Sequence, residues 1–257
     1  MISYCTSKRF FLFAKKNPKV RALVLPNALY KELDTESRER FSFILNENPE
    51  WSFYQAFIIL VKSGAFSFKT KYSTPSIKPI IGKGTIVEDN VEIGENVVIG
   101  CNSVIKAGTI IGDNVQIGSC TVIGESGFQL IEDTNGVNHT IPHIGRTYIG
   151  NNVTVADNVT IARSLFEGYT RIEDNVKIDC QVHIAHNCIV GNNSVITVNT
   201  TLLGSCIIGE NVWIAPNSLI MNRVKVGDGA FICAASFVMA NVRAGQKVFG
   251  NPAHKID

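Results

Sequence analysis

Residues 178–190 read IDCQVHIAHNCIV, and two of the chain's five histidines, His183 and His186, stand three apart within them. Imidazoles so placed can ligate a metal, pack, or move a proton. Zinc takes three or four ligands, and an HxxH pair with no third ligand beside it is a weak metal site, so no metal is expected. An imidazole titrates near neutrality, and an amine attacking a thioester must lose a proton. One histidine acting as general base is worth roughly 10²–10⁴ in rate. No covalent enzyme intermediate is needed, and a backbone N–H can meet the oxyanion of the tetrahedral intermediate.

What positions such a histidine is a repeat. From Ile81 an aliphatic residue recurs every six positions through Val87, Ile93, Ile99, Ile105, Ile111, Ile117 and Ile123. The phase returns at Ile149, Val155 and Ile161, skips one residue, and holds from Ile172 to Val238. A fixed short period marks a solenoid in which each repeat contacts only its neighbours. The third residue after the aliphatic one is commonly Gly or Asn, as at Gly84, Asn90, Asn96, Asn187, Asn193 and Asn241. These residues tolerate left-handed backbone angles and mark repeated corners. His186, two after Ile184, falls at a corner, whereas His183 points outward from a flat face. Coils eighteen residues long would stack Cys188 under Cys206 as small core residues.

Two stretches break the period: GESGFQLIEDTNGVNHTIPHIGRTY, between Ile123 and Ile149, and ARSLFEGYTR at 162–171. Interruptions of a solenoid project as loops that often carry function, so both are candidate substrate contacts. Residues 1–66 lack the period. RALVLPN (21–27) reads as a strand, and 48–66 as a helix with Pro49 in its first turn and an apolar face of Phe53, Phe57 and Leu60. A small α/β domain over 1–66, a linker over 67–79 and a coil domain over 80–257 are expected.

The hexads resemble the hexapeptide-repeat acyltransferase superfamily, which implies a mainly β fold, a left-handed parallel β-helix of three hexads per coil. The run GESGF, IPHIGR, IGNNVTV, TIAR and IDCQVHIAHN resembles the UDP-3-O-acylglucosamine N-acyltransferases within it. That resemblance implies His186 as catalytic base, Asp179 as a residue orienting it or the amine, and substrate contacts at Gly127, Phe128 and His143. It also implies that the N-terminal domain binds nucleotide and that the chain forms a homotrimer. Arg223 stands where the family has a histidine near its phosphate contacts, and Phe237 and Met239 align with the acyl groove. The tail VFGNPAHKID is similar to sugar acetyltransferases that use acetyl-CoA, which points Asn251 and Pro252 toward the donor. Together with the stiff Phe237 ring, the tail favours transfer of a short acyl group from acetyl-CoA to a nucleotide-linked amino sugar. The alternatives are a lipid A pathway enzyme that uses an acyl carrier protein thioester, and a non-catalytic binding or scaffold solenoid.

Composition narrows the class. A net charge of +2 from 24 basic and 22 acidic residues offers no basic stripe for nucleic acid. The apolar stretch FFLFA (10–14) lies between basic residues with no small-residue cleavage site behind it, and no run of apolar residues is long enough to span a bilayer. Seven irregularly spaced cysteines fit free thiols in a reducing, cytoplasmic compartment.

Overall fold

The computed structural model describes residues 1–68 and 76–256, which divide into two compact units. One comprises Phe68–Gly127 with His143–Asp257, the other Met1–Ser67 with Phe128–Pro142.

The larger unit is a three-sided parallel β-helix. Two-residue strands stack into sheets of ten, eight and seven strands, with successive strands passing from sheet to sheet. Each strand pairs in register with the equivalent strand one coil away: Ile117 lies between Ile99 and Val155, and Ile184 between Ile161 and Leu202. The periodic aliphatic residues fill the interior, with Ile105, Ile123, Ile161 and Ile184 fully buried. The corners take left-handed angles at Asn96, Asn187 and Asn193, as expected. They do so also at Cys120, Gln181, Ser205, Arg223 and Ala235, which lack the local tolerance of Asn or Gly. There the stacked coils on either side hold the backbone in place. Asn241, expected among these residues, is absent from them.

Hydrogen bonds run up the stack. Ser103 Oγ donates to the Gly118 carbonyl at 2.8 Å, and Ser194 Oγ to that of Gly209 at 2.8 Å. Cys188 and Cys206 occupy the stacked inward places and donate to the Leu203 and Met221 carbonyls. Outside, the Glu95 N–H donates to Asp113, Asp113 N–H to Asn151, and Asn151 N–H to Asp174, at 2.7, 2.9 and 2.7 Å. Strand Lys247–Gly250 adds to the ten-stranded sheet and turns through Asn251 and Pro252 into the antiparallel Ala253–Ile256.

The smaller unit contains β1 (Ile2–Tyr4), α1 (Lys8–Lys16), β2 (Ala22–Leu25), α2 (Asn27–Lys31), α3 (Thr35–Arg40), β3 (Ser42–Leu45) and α4 (Pro49–Lys62). The strands form a parallel sheet in the order β1-β2-β3. Leu23 and Leu25 of β2 pack with Phe11 of α1 and with Phe41, while Tyr4, level with Val24, meets Phe53 and Tyr54 of α4. Asn48 caps α4 by accepting from the Trp51 N–H at 3.0 Å, which fixes where the Pro49 turn begins. On α4, Tyr54 and Phe57 are the buried aromatics, whereas Leu60, expected on the apolar face, is exposed.

Two boundaries differ from expectation. Residues 128–142, expected to project from the coil domain, group instead with the N-terminal unit as a hairpin of Leu130–Glu132 and Asn138–Thr140. Its His139 is bonded to Asp133 at 2.9 Å and stacks on Trp51 of α4 at 4.8 Å, so aromatic packing explains the grouping. The coil unit begins at Phe68, whose ring lies under the Arg163 and Arg146 guanidinium groups at 5.1 and 5.7 Å. Most of the expected linker, residues 69–75, lies outside the described residues.

Candidate active site

His186 stands at the corner between the strands His183–Ile184 and Ile189–Val190. Asn187, at φ 61°, turns the chain there, and Ser205 and Arg223 repeat the left-handed turn at the same corner one and two coils on. The histidine is half-buried.

One acceptor decides its protonation. Asn187 Oδ1 lies 2.9 Å from His186 Nδ1 and accepts the Leu165 backbone N–H at 3.1 Å. A backbone N–H can only donate, so this Asn187 atom is the carbonyl oxygen and cannot donate to the imidazole. The imidazole must therefore carry its proton on Nδ1. In the neutral ring Nε2 is then the acceptor, the atom a general base needs. Asn187 is itself held: its Nδ2 donates to Ser164 Oγ at 2.6 Å, and its N–H to Thr170 Oγ1 at 2.8 Å.

The two interruptions of the period supply this clamp by pairing with each other. Ile144 and Gly145 N–H donate to the Leu165 and Ser164 carbonyls at 2.9 Å each, and Arg146 N–H to that of Gly168 at 2.8 Å. Residues 162–171 thus carry the groups that hold Asn187, while the facing segment carries His143. The buried His143 ring meets His186 edge-on, with centroids 5.1 Å apart. Two glycines complete the cage. A Cβ on Gly127 would lie 2.7 Å from His143 Nε2 and 3.0 Å from His186 Cδ2, and one on Gly204 would lie 2.7 Å from His186 Cε1 and Nε2. Both glycines leave the ring room, and Gly204 leaves the basic nitrogen approachable.

Arg163 takes the equivalent corner place one coil below. Its Nε donates to the Gly124 carbonyl at 2.5 Å, and burial pulls its pKa below the ordinary guanidinium value. Beside it Lys106 pairs with Glu88 at 2.9 Å and Glu125 at 3.7 Å. His183 is in register with Thr160 and Thr201 on the outer face, and desolvation holds its pKa below the usual histidine range.

Of the other expected site residues, Gly127 and His143 meet His186 directly. Arg223 shares its corner two coils up, and Phe237 and Met239 flank the same edge one coil further, Met239 exposed. Asp179 does not join them. It follows strand Lys177–Ile178, at a different corner of the same coil, and caps the Cys180 and Val198 N–H groups at 2.7 and 3.1 Å. Within one chain Asn187, not Asp179, orients the histidine. Asn251 and Pro252 form the hairpin turn at the end of the ten-stranded sheet, away from the His186 corner. Phe128 belongs to the other unit and is 83% exposed. No group of three or more His, Cys, Asp or Glu side chains that could hold a metal occurs among the described residues.

Residues 90–125, 169–204 and 205–240 match the family described as bacterial transferase hexapeptide (six repeats). The repeats of this chain are those of the hexapeptide-repeat acyltransferases. Its β-helix is accordingly of the left-handed kind. It is 36% identical over 229 residues to the UDP-3-O-acylglucosamine N-acyltransferase of Helicobacter pylori, covering 79% of this chain and 65% of that protein. It is 51% identical over 65 residues to the enzyme of that name from Dechloromonas aromatica, covering 25% of this chain and 18% of that one. The matched stretches thus span 18% and 65% of these two relatives' lengths, less than two thirds in either case. Among solved structures, the UDP-N-acetylglucosamine acyltransferase from Campylobacter jejuni superposes with a TM-score of 0.60 at 28% identity, over 72% of this chain and 73% of that one.

Asn187, Ser164 and Gly204 were not singled out from the sequence as site residues. The usable signals were a glycine one full coil after a corner histidine, and a break in period lying one coil before it.

Proposed function

We propose that this hexapeptide-repeat protein is an N-acyltransferase that moves an acyl group from a thioester donor to the amine of UDP-3-O-acylglucosamine, the lipid A pathway reaction. The observation that carries the reading is the Nδ1–H bond of His186 to Asn187, which in the neutral ring leaves Nε2 as the acceptor beside Gly204. As the sugar amine attacks the thioester carbonyl, Nε2 takes its proton. The intermediate collapses by expelling the thiolate, which the imidazolium can reprotonate. A backbone N–H of the corner stacked above His186 meets the oxyanion. The relatives' names favour this acceptor over another amino sugar. The donor proposed with it, a 3-hydroxyacyl group on acyl carrier protein in place of acetyl-CoA, is what the family resemblance implies. The acetyl-CoA reading leaned on Asn251 and Pro252, which lie away from the His186 corner. In the proposed enzyme the N-terminal unit contacts the nucleotide, three chains assemble, and the reaction takes place in the cytoplasm.

The test is mass spectrometry of UDP-3-O-acylglucosamine incubated with 3-hydroxyacyl carrier protein or with acetyl-CoA. N-acylation from the carrier protein, reduced about 10² or more in His186→Ala, is expected. Preference for acetyl-CoA would replace the proposal with the short-acyl reading, and nucleotide-sugar binding without turnover from either donor would leave a scaffold.

A further inference from the structure

The near-neutral total charge conceals a segregated one. Seven of the 24 basic residues and none of the 22 acidic ones lie in residues 1–31, which therefore carry +7 against −5 for the remainder. Part of this charge surrounds α1, KRFFLFAKK. Phe11 turns inward against Leu23 and Leu25, with Ala14 packed partly buried on the same cluster. The opposite side of the helix leaves Phe10, Leu12 and Phe13 between 52 and 60% exposed. Three large apolar side chains on one nine-residue helix are more than the isolated exposed residues of an ordinary soluble surface.

Arg9 and Lys16 lie seven residues apart, two helical turns, so they share the outward face with Leu12 and Phe13. Lys15 is engaged by Asp34 and Glu36 at 3.5 Å, and Lys8 approaches Glu32 at 4.0 Å. No carboxylate lies within ion-pair distance of Arg9 or Lys16 among the described residues. The face therefore mixes apolar side chains with cations that remain available, the pattern of a helix lying in the headgroup layer of a bilayer. Aromatic and leucine side chains enter the acyl boundary while the long basic side chains reach anionic headgroups.

We propose that α1 docks the protein peripherally on an anionic lipid surface, with Phe10, Leu12 and Phe13 inserted and Arg9 and Lys16 against the headgroups. A neutral or cationic surface does not fit the charge of this end. The inference stands apart from the acyl-transfer reading, since it uses no residue of the His186 corner.

The full chain is sedimented with vesicles of phosphatidylcholine alone or mixed with phosphatidylglycerol. Binding to the mixed vesicles and not to the neutral ones is expected. Both Arg9→Glu with Lys16→Glu and Phe10→Ser with Phe13→Ser should lower the affinity about tenfold or more. Lys62→Glu on α4, which packs on the other face of the sheet, should leave it nearly unchanged. All the substituted side chains are exposed, and unchanged melting temperatures confirm intact folding. Absence of binding to the anionic vesicles overturns the proposal, as does equal binding to neutral ones or equal loss in Lys62→Glu. A solution mass that falls in Phe10→Ser with Phe13→Ser would also overturn it, by showing that another copy of the chain covers this face.

Discussion

Gly204 stands one coil above His186, and a Cβ on it would lie 2.7 Å from that imidazole's Nε2. No left-handed angle requires glycine there, since Gly204 is not among the glycines with positive φ. What requires it is access to the basic nitrogen. Gly204→Ala should therefore lower kcat/KM by about 10² or more with a nearly unchanged melting temperature, because the half-buried ring can swing outward. Steady-state kinetics beside a thermal melt would check this, and wild-type turnover in the variant would remove Gly204 from the site.

Asn187 can be separated into its backbone and side-chain roles. Asn187→Gly keeps the left-handed turn but releases the imidazole tautomer, and should lose about 10- to 100-fold in kcat with KM little changed. Asn187→Asp keeps an acceptor and adds a charge beside the ring. It should raise the imidazole's proton affinity by about one pH unit or more, moving the acidic limb of the rate profile upward. A profile superimposable on the wild type would contradict the hydrogen-bond assignment.

Acid stability offers a second pH test. The Ala107 N–H and the Lys106 ammonium hold the Glu88 carboxyl below its ordinary value. A carboxylate depressed in the folded state stabilises above its unfolded pKa, and that contribution disappears as pH falls through the folded value. Melting temperatures of Glu88→Gln should accordingly fall less steeply than those of the wild type below about pH 4.5. Parallel curves would show that the pair contributes nothing.

The coil's outer faces carry apolar side chains in adjoining rungs, such as Val195, Trp213 and Phe231, with Trp213 45% exposed. Such a face suits burial against identical chains. Light scattering is expected to give three times the chain mass at micromolar concentration; the mass of a single chain would exclude assembly.

The coil was readable because every sixth aliphatic residue obeys one geometric rule. His186 was readable because its place in that rule is a corner. The rule says less about partners. Asp179 precedes His186 by seven residues, a spacing that carries it past a whole strand to another corner. Likewise Val98, Val104 and Ile110, equivalent within their hexads, lie on three different sheets. Asn187's partners Ser164, Leu165 and Thr170 fall in an aperiodic segment whose path depends on pairing with residues 144–146, a tertiary outcome with no local signature. Residues 128–142 were assigned to the coil by sequence order, yet the Trp51 contact draws them to the other unit.

The up-stack bonds, such as Ser103 to Gly118 and Ser194 to Gly209, join each coil to its immediate neighbour and to nothing further away. Such a chain is modular in the way a zipper is. Residues 207–224 could be excised as one eighteen-residue tooth, bringing the Cys206 end against Lys225 with the hexad phase intact. Deletions of six or twelve residues would keep the phase but rotate everything beyond them onto the wrong face. Length in this architecture can therefore drift in whole coils during descent, above or below the His186 corner, without disturbing the coils that hold it.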